Sequence, residues 1–169
     1  MYDCRDYVDC YNIVCLSVVV LSVCLCDCGV GWAELNGECI YFSHDKHTWS
    51  DARTKCHNMN RSYLVTIDNQ PKADYINKFL STLHHFRQVG YWLGGNDYIV
   101  EGQWRWSETG TGLGDFTQWG PGYPDGNRTH DCMLQVFNGE TSMWIDSNCA
   151  HPHYYICEHQ APTVSTVIG

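Results

Sequence analysis

The sequence predicts a single domain of the α+β class, held together by disulfides and located outside the cell. Two segments with helical spacing of apolar residues come first and short β-like segments follow, an order typical of α+β domains. The 169 residues, 44% of them hydrophobic and 17% charged, suit one compact domain with a short extension. The chain also has eleven cysteines, which is typical of proteins that fold in oxidising compartments.

Two helices are expected in the first half of the chain. Apolar residues recur at helical spacing over residues 48–60 and again over residues 70–85. Thr48 is a suitable N-cap for the first helix, and either Asp68 or Asn69 suits the second.

After residue 85 the pattern changes to short β-like segments between turn residues. These segments are residues 91–93, 103–106, 132–137, 143–145 and 154–157. The long stretch of residues 94–131, which includes the short segment 103–106, has most of the glycines and little periodicity. A loop of this length in a small domain is usually functional or disordered, and its many aromatic residues favour function.

A leader and a tail flank the predicted domain. Residues 13–26 form an apolar run of fourteen residues without a charge, whereas a membrane-spanning helix needs roughly 20. The run instead fits the core of a secretory signal. We interpret residues 1–26 as a signal peptide cut after Cys26, residues 27–159 as the domain and residues 160–169 as a flexible tail.

The first residues leave an alternative open. Arg5 is the only basic residue there and stands among three aspartates, whereas a signal peptide should begin with basic residues. The alternative is a short signal-anchor that displays the domain on the cell surface.

The proposed cut also changes the charge and the cysteine count. The whole chain has ten basic and nineteen acidic residues, and the chain after Cys26 has nine and sixteen, a net charge of −7. Such a charge disfavours binding to nucleic acids or anionic lipids. Six cysteines remain, an even set that can pair completely. They are Cys28, Cys39, Cys56, Cys132, Cys149 and Cys157.

Beyond Cys28 several motifs follow one another in a specific order. They are Gly31-Trp32, Cys39-Ile-Tyr-Phe, Trp49-Ser-Asp-Ala, Tyr91-Trp-Leu-Gly-Gly, Glu101-Gly-Gln-Trp-Arg-Trp, Trp119, Tyr123-Pro-Asp, Asp131-Cys132, Trp144-Ile-Asp and Tyr155-Ile-Cys157. This order resembles the long form of the C-type lectin-like domain, and its motifs are similar to those of the perlucin-like secreted lectins of invertebrates.

The resemblance implies a fold and a disulfide pairing. The fold would have two helices packed on small antiparallel sheets, with a long binding loop. The bridges would be Cys28 to Cys39, Cys56 to Cys157 and Cys132 to Cys149, one of fifteen pairings that six cysteines permit. Spacing alone does not select this pairing.

Sugar-binding members of the family hold a calcium ion in the long loop, and sugar hydroxyls complete its coordination. Calcium takes about six to eight oxygen ligands. The family's carboxylate or amide positions hold Tyr123, His130 and Ile145 here, and none of these suits calcium. Asp125 and Asp146 remain as ligands, and the Tyr123 ring could stack on a sugar instead. In the family, Pro124 follows a cis peptide bond.

A second calcium site of the family fits the sequence better. Asp97, Glu101 and Asp131 occupy matching positions and would supply three carboxylates to one ion. The alternative for each is an ordinary solvated or turn-forming acid.

Two glycosylation sequons are present, one at Asn60 and one at Asn127. The second lies inside the expected binding loop, where an attached glycan would crowd a neighbouring sugar site.

These observations favour a secreted, calcium-assisted lectin that recognises glycans on microbial or other extracellular surfaces, with an aspartate that resembles the galactose-type motif. The alternative is a module of the same fold that binds a protein or a mineral surface without calcium. We find no paired nucleophile and base, and no Gly-x-Ser-x-Gly or His-Glu-x-x-His motif, so we do not expect an enzyme. The sequence does not indicate an oligomeric state.

Overall fold

A computed structural model describes residues 13–18, 21–26, 28–83 and 89–161, the first two segments by their backbone only. In those two segments, β1 (Ile13–Val18) and β2 (Leu21–Cys26) pair antiparallel as a separate sheet. Most of the expected tail and the last two residues of the second predicted helix lie outside the described residues. The described helices include none that is long and apolar enough to cross a bilayer.

The remaining elements begin with two short strands before the first helix and include a third between the helices, so the predicted order of helices and then strands is observed only after the second helix. They are β3 (Ala33–Leu35), β4 (Glu38–Phe42), α1 (Trp49–Asn58), β5 (Tyr63–Leu64), α2 (Gln70–Leu83), β6 (Val89–Asn96), β7 (Arg105–Trp106), β8 (Cys132–Phe137), β9 (Ser142–Ser147) and β10 (Tyr154–Gln160). The α+β class, both helices and all five predicted strands are confirmed. The short strands β3, β4 and β5 were not predicted.

Side chains cap the start of each helix as the sequence indicates. The Thr48 hydroxyl accepts a hydrogen bond from the Asp51 backbone N–H at 3.2 Å. The side-chain Oδ1 of Asn69 accepts a hydrogen bond from the Lys72 backbone N–H at 2.9 Å, so Asn69 rather than Asp68 caps α2.

The strands form one connected sheet rather than separate small antiparallel sheets. Eight strands connect in the order β3-β4-β10-β6-β8-β9, while β5 pairs with β10 and β7 with β6. The long strand β10 joins the two halves because Tyr154 and Tyr155 pair in parallel with β6, while its later residues pair antiparallel with β4. The connected sheet is therefore mixed, with antiparallel pairs throughout except for the parallel pairing of β10 with β6.

Among the side chains that the structure describes, the three disulfides pair as the family resemblance implies. Cys28 bonds Cys39, eleven residues away, and Cys132 bonds Cys149, 17 residues away. The third bridge, Cys56–Cys157, spans 101 residues and ties α1 to β10. A closed loop of about 100 residues stabilises the fold by about 4.7 kcal/mol in the chain-entropy model, so this bridge is expected to contribute most.

The end of the described chain is ordered up to the last strand. Gln160 pairs with Glu38, and the Ala161 N–H donates to the Gly37 carbonyl at 2.7 Å. The first residue of the expected tail therefore belongs to the sheet.

Candidate functional site

The long segment between β6 and β8 is fixed to the core by its aromatic residues. Trp104 and Trp119 lie 4.8 Å apart between ring centroids, and Trp119 lies 5.8 Å from the fully buried Trp144 of β9. The backbone is fixed at the same place, because Trp144 N–H donates to the Gln118 carbonyl at 2.8 Å and Gly120 N–H donates back to Trp144 at 2.9 Å. The inner face of the loop is thus part of the hydrophobic core.

The outer rim of this loop faces solvent. Residues 121–129 are all exposed, and the Tyr123 side chain is 38% exposed. The Tyr123–Pro124 peptide is cis, as the resemblance implies. The rim is therefore free to meet a ligand while its base is held by tryptophans.

Asp125 is held in place by three hydrogen bonds. Its backbone N–H donates to Asp146 Oδ2 at 2.8 Å, and its Oδ1 accepts from the Asn127 N–H at 2.8 Å. Its Oδ2 lies 3.0 Å from His130 Nδ1. The bond from the Asn127 backbone, aided by His130, holds the pKa of Asp125 below its usual value.

Asp146 lies below this rim in β9, opposite Met133 of β8. Its side chain is only 4% exposed, and its Oδ1 atom has no hydrogen-bond partner. Burial raises the pKa of Asp146 above its usual value. The structure thus brings together the two acids that sequence reasoning assigned to the sugar-coordinating site.

The same place includes a residue that sequence reasoning set aside. Asp125, His130 and Asp146 each offer one ligand atom, and these atoms lie within 4.8 Å of one another. Within the described ranges, this is the one group of three or more such side chains. The sequence gives His130 no role because imidazole does not suit calcium, and no local pattern indicates that the loop folds His130 Nδ1 to within 3.0 Å of Asp125 Oδ2.

This donor set does not fit a calcium ion. Calcium prefers oxygen ligands, whereas the cluster supplies an imidazole nitrogen, and Ile145 offers no oxygen at the neighbouring family position. We therefore derive no sugar-bridging calcium from these residues.

The residues of the second expected calcium site have oxygen donors only. Asp97 follows β6 directly and is 4% exposed, with Oδ2 accepting the Gly102 N–H at 2.8 Å and Oδ1 without a partner. Its N–H donates to the Asp131 carbonyl at 3.2 Å. Burial and the negative charge of Asp131 raise the pKa of Asp97. Glu101 is exposed, and the three carboxylates do not converge as closely as the cluster at Asp125.

The chemistry of this second set fits calcium, because a buried Asp97 oxygen is left without a partner, Glu101 follows four residues later and Asp131 is hydrogen-bonded to the Asp97 backbone. Asp97, Glu101 and Asp131 are the residues that would hold the ion. Arg53 and Arg105 line the same 260 Å³ cavity as Asp97, and their positive charge would weaken such a site.

Both sequons lie on the surface. Asn60 is exposed, although Ser62 of its sequon is buried and donates to the Cys56 carbonyl at 2.6 Å. Asn127 is exposed, and its carbonyl accepts a bond from the Thr129 hydroxyl at 3.0 Å. A glycan at Asn127 would stand two residues from Asp125.

Comparisons with known proteins agree with this geometry. Residues 45–159 match the model of the Lectin C-type domain. A perlucin-like protein of Mytilus galloprovincialis is 31% identical over 133 residues, which cover 78% of this chain and 82% of that protein. The hepatic lectin of Gallus gallus is 28% identical over 131 residues, covering 78% of this chain and 59% of the relative.

A solved structure agrees with the fold. The mouse scavenger receptor C-type lectin carbohydrate-recognition domain superposes with a TM-score of 0.69 at 28% identity, covering 80% of this chain and 98% of that one. Several curated relatives are much longer than the matched region, which spans 59%, 32% and 40% of three of them.

The match to the family model covers more than half of the chain, and the disulfides, the loop and the cis peptide agree with it. Lectins bind carbohydrates without catalysing a reaction, which is in line with the expectation that this chain is not an enzyme. The chain belongs to the C-type lectin domain family.

Proposed function

We propose that the domain binds carbohydrate at the rim of its long loop, and that Tyr123, Asp125 and Asp146 form the binding face. The observation that carries this proposal is a fixed loop in which the exposed Tyr123 ring stands two residues before Asp125, whose N–H is anchored to Asp146. A flat ring can pack on the apolar face of a hexose, and a carboxylate accepts strong hydrogen bonds from sugar hydroxyls. The aspartate of the Tyr123-Pro-Asp triplet favours galactose-type sugars.

Calcium is proposed to act at the second site and not to bridge the sugar. Asp97, Glu101 and Asp131 would hold the ion where the loop leaves β6. Neutralising the buried Asp97 carboxylate would stabilise the base of the loop, because a buried charge without a partner is costly. Calcium would then assist binding by fixing the loop.

The setting proposed for this activity is extracellular. The apolar leader, the three disulfides and the resemblance to a perlucin-like protein support secretion, and the ligands would be glycans on microbial cells or extracellular matrix. N-terminal sequencing of the protein recovered from culture medium tests the leader. We expect the chain to begin at residue 27, and an intact leader on a membrane-bound product would favour the signal-anchor.

A glycan array with calcium, and again with chelator, tests the binding proposal. We expect binding to a set of terminal galactose glycans that is weaker with chelator. Tyr123→Ala should reduce that binding at least fivefold, whereas Tyr123→Phe, which keeps the ring, should retain it. Unchanged binding in Tyr123→Ala would remove this residue from the proposed face.

A second candidate function is a calcium-independent module that binds a protein or a mineral. The observation favouring it is that His130 and Ile145 stand at positions where the family has calcium ligands. The net charge of −7 after the leader would suit a calcium-rich mineral surface. If the protein binds no glycan on the array but does bind calcium carbonate particles, this second function is favoured.

A further inference from the structure

The cluster formed by Asp125, His130 and Asp146 has the donor chemistry of a different metal. We propose that these three side chains form a site for a borderline divalent transition-metal ion of the zinc class. The proposal concerns metal binding itself and does not depend on what the loop recognises.

The first support is the closeness of the three ligand atoms. One atom from each residue lies within 4.8 Å of the others, and His130 Nδ1 lies 3.0 Å from Asp125 Oδ2. Two ligands bound at about 2.0–2.2 Å to one tetrahedral zinc ion are separated by roughly 3.4 Å. Small side-chain movements would therefore bring these atoms to bonding distance of one ion.

The second support is the type of donor. Imidazole suits zinc, copper and nickel, and zinc sites combine histidine with carboxylate ligands. Calcium and magnesium prefer oxygen. A donor set of one nitrogen and two carboxylates therefore favours zinc over calcium and magnesium, which would be favoured if His130 were a carboxylate.

The third support is a buried oxygen that lacks a partner. Asp146 is 4% exposed, and its Oδ1 makes no hydrogen bond, while Oδ2 accepts the Asp125 N–H. A buried carboxylate with an unpaired oxygen is costly unless a cation compensates it. A metal ion at the cluster would supply that compensation.

The surrounding backbone holds two of the ligands ready. Asn127 N–H donates to Asp125 Oδ1 at 2.8 Å, and His130 N–H donates to the Asn127 carbonyl at 2.7 Å. Outer partners of this kind orient metal ligands and raise their affinity. Three protein ligands would leave a coordination position open toward the solvent-exposed rim.

Isothermal titration calorimetry of the purified protein with zinc chloride, and separately with calcium chloride, tests the proposal. His130→Ala should weaken zinc binding at least tenfold. His57→Ala, which removes an exposed histidine from α1, is the matched control and should leave zinc affinity unchanged. Thermal unfolding without metal checks that His130→Ala remains folded.

A second variant tests the choice of metal by replacing the His130 ligand and not by removing it. His130→Glu replaces nitrogen by oxygen donors and should weaken zinc binding while it strengthens calcium binding. The proposal is overturned if His130→Ala weakens zinc less than tenfold, if His57→Ala weakens zinc as much, or if His130→Glu keeps the wild-type preference for zinc over calcium. Loss of glycan binding in these variants with unchanged zinc affinity would also overturn it, while leaving the carbohydrate proposal in place.

Discussion

Two pairs of buried charges distinguish the sheet platform from the long loop. We use platform for residues 28–83, 89–96 and 132–161, apart from Asp146, which accepts the Asp125 N–H from the loop residues 97–131. In the platform, Lys72 is 5% exposed and Glu158 is 2% exposed, and they form an ion pair, with Glu38 a second partner of Lys72 at 2.7 Å. At the loop, Asp97 and Asp146 are equally buried, but each keeps one carboxylate oxygen without a partner.

This difference indicates that the buried charges of the platform contribute to stability, whereas those at the loop are available for binding. A buried charge lowers stability unless an opposite charge or hydrogen bonds compensate it. The platform compensates its buried charges internally, so its fold needs no ligand. The loop leaves its buried charges available to a cation from outside, so we expect metal ions to stabilise the loop and to leave the platform nearly unchanged.

The largest expected effect comes from the bridge that closes most of the platform. The double substitution Cys56→Ser and Cys157→Ser should lower the free energy of unfolding by about 4–5 kcal/mol, because it releases a loop of 101 residues. Denaturant unfolding monitored by tryptophan fluorescence measures it.

The short bridge provides the matched control. Cys28→Ser with Cys39→Ser releases only eleven residues and should cost about 3 kcal/mol in the same model. Equal losses in the two variants would show that loop closure is not what the long bridge contributes.

The second prediction removes the cation from the buried pair. Lys72→Met keeps most of the apolar length but leaves Glu158 without its partner, so we expect a loss of about 3–5 kcal/mol at pH 8. Burial already raises the pKa of Glu158 to about 7 in the folded protein, despite Lys72. Without Lys72 that carboxyl should be protonated at pH 5, so the loss should be smaller there.

Unfolding curves of Lys72→Met at pH 5 and pH 8 check whether the loss of unfolding free energy is smaller at pH 5. Lys78→Met, an exposed lysine on the same helix, is the control and should change stability by less than about 0.5 kcal/mol at either pH. A loss that is larger at pH 5 than at pH 8 would contradict the role assigned to Lys72.

The platform was the part of the molecule most open to prediction from sequence. Apolar periodicity located both helices, and short β-like segments between turn residues located β8 and β10. The strand β5, which was not predicted, has only two residues. The parallel pairing of β10 with β6 depends on contacts between distant residues and has no local signal.

The candidate site was predictable only in part, for a physical reason. Asp125 and Asp146 were assigned from family motifs, and the structure brings them into contact. The contribution of His130 required the distance from its Nδ1 atom to Asp125, which folding of the loop determines. Imidazole does not suit calcium, whereas the position of His130 beside both acids fits the zinc-class site that we propose.

The third prediction concerns the unpaired charge at the base of the loop. Asp97→Asn removes a buried negative charge while it keeps an acceptor for the Gly102 N–H. With chelator we expect stability to stay equal or to rise by up to about 1 kcal/mol. With millimolar calcium the wild-type melting temperature should rise, and the variant should lose most of that rise.

Differential scanning calorimetry with calcium and with chelator measures both values. Asp74→Asn, an exposed aspartate on α2, is the control and should keep the wild-type response to calcium. An unchanged calcium response in Asp97→Asn would remove Asp97 from the proposed second site.

The smallest expected effect concerns Asp45, an exposed charged residue of the platform. Although partial burial opposes it, hydrogen bonds from His47, Tyr155 and Lys55 lower the pKa of Asp45 to about 2. Because the pKa is lower in the folded protein, the stability from this network is complete above about pH 4 and is lost as the pH falls through 2. Asp45→Asn should therefore flatten the decline of unfolding free energy between pH 5 and pH 2, measured by urea denaturation. Asp74→Asn should keep the wild-type slope, and an equally steep decline in Asp45→Asn would mean that other carboxylates of the platform carry its acid sensitivity.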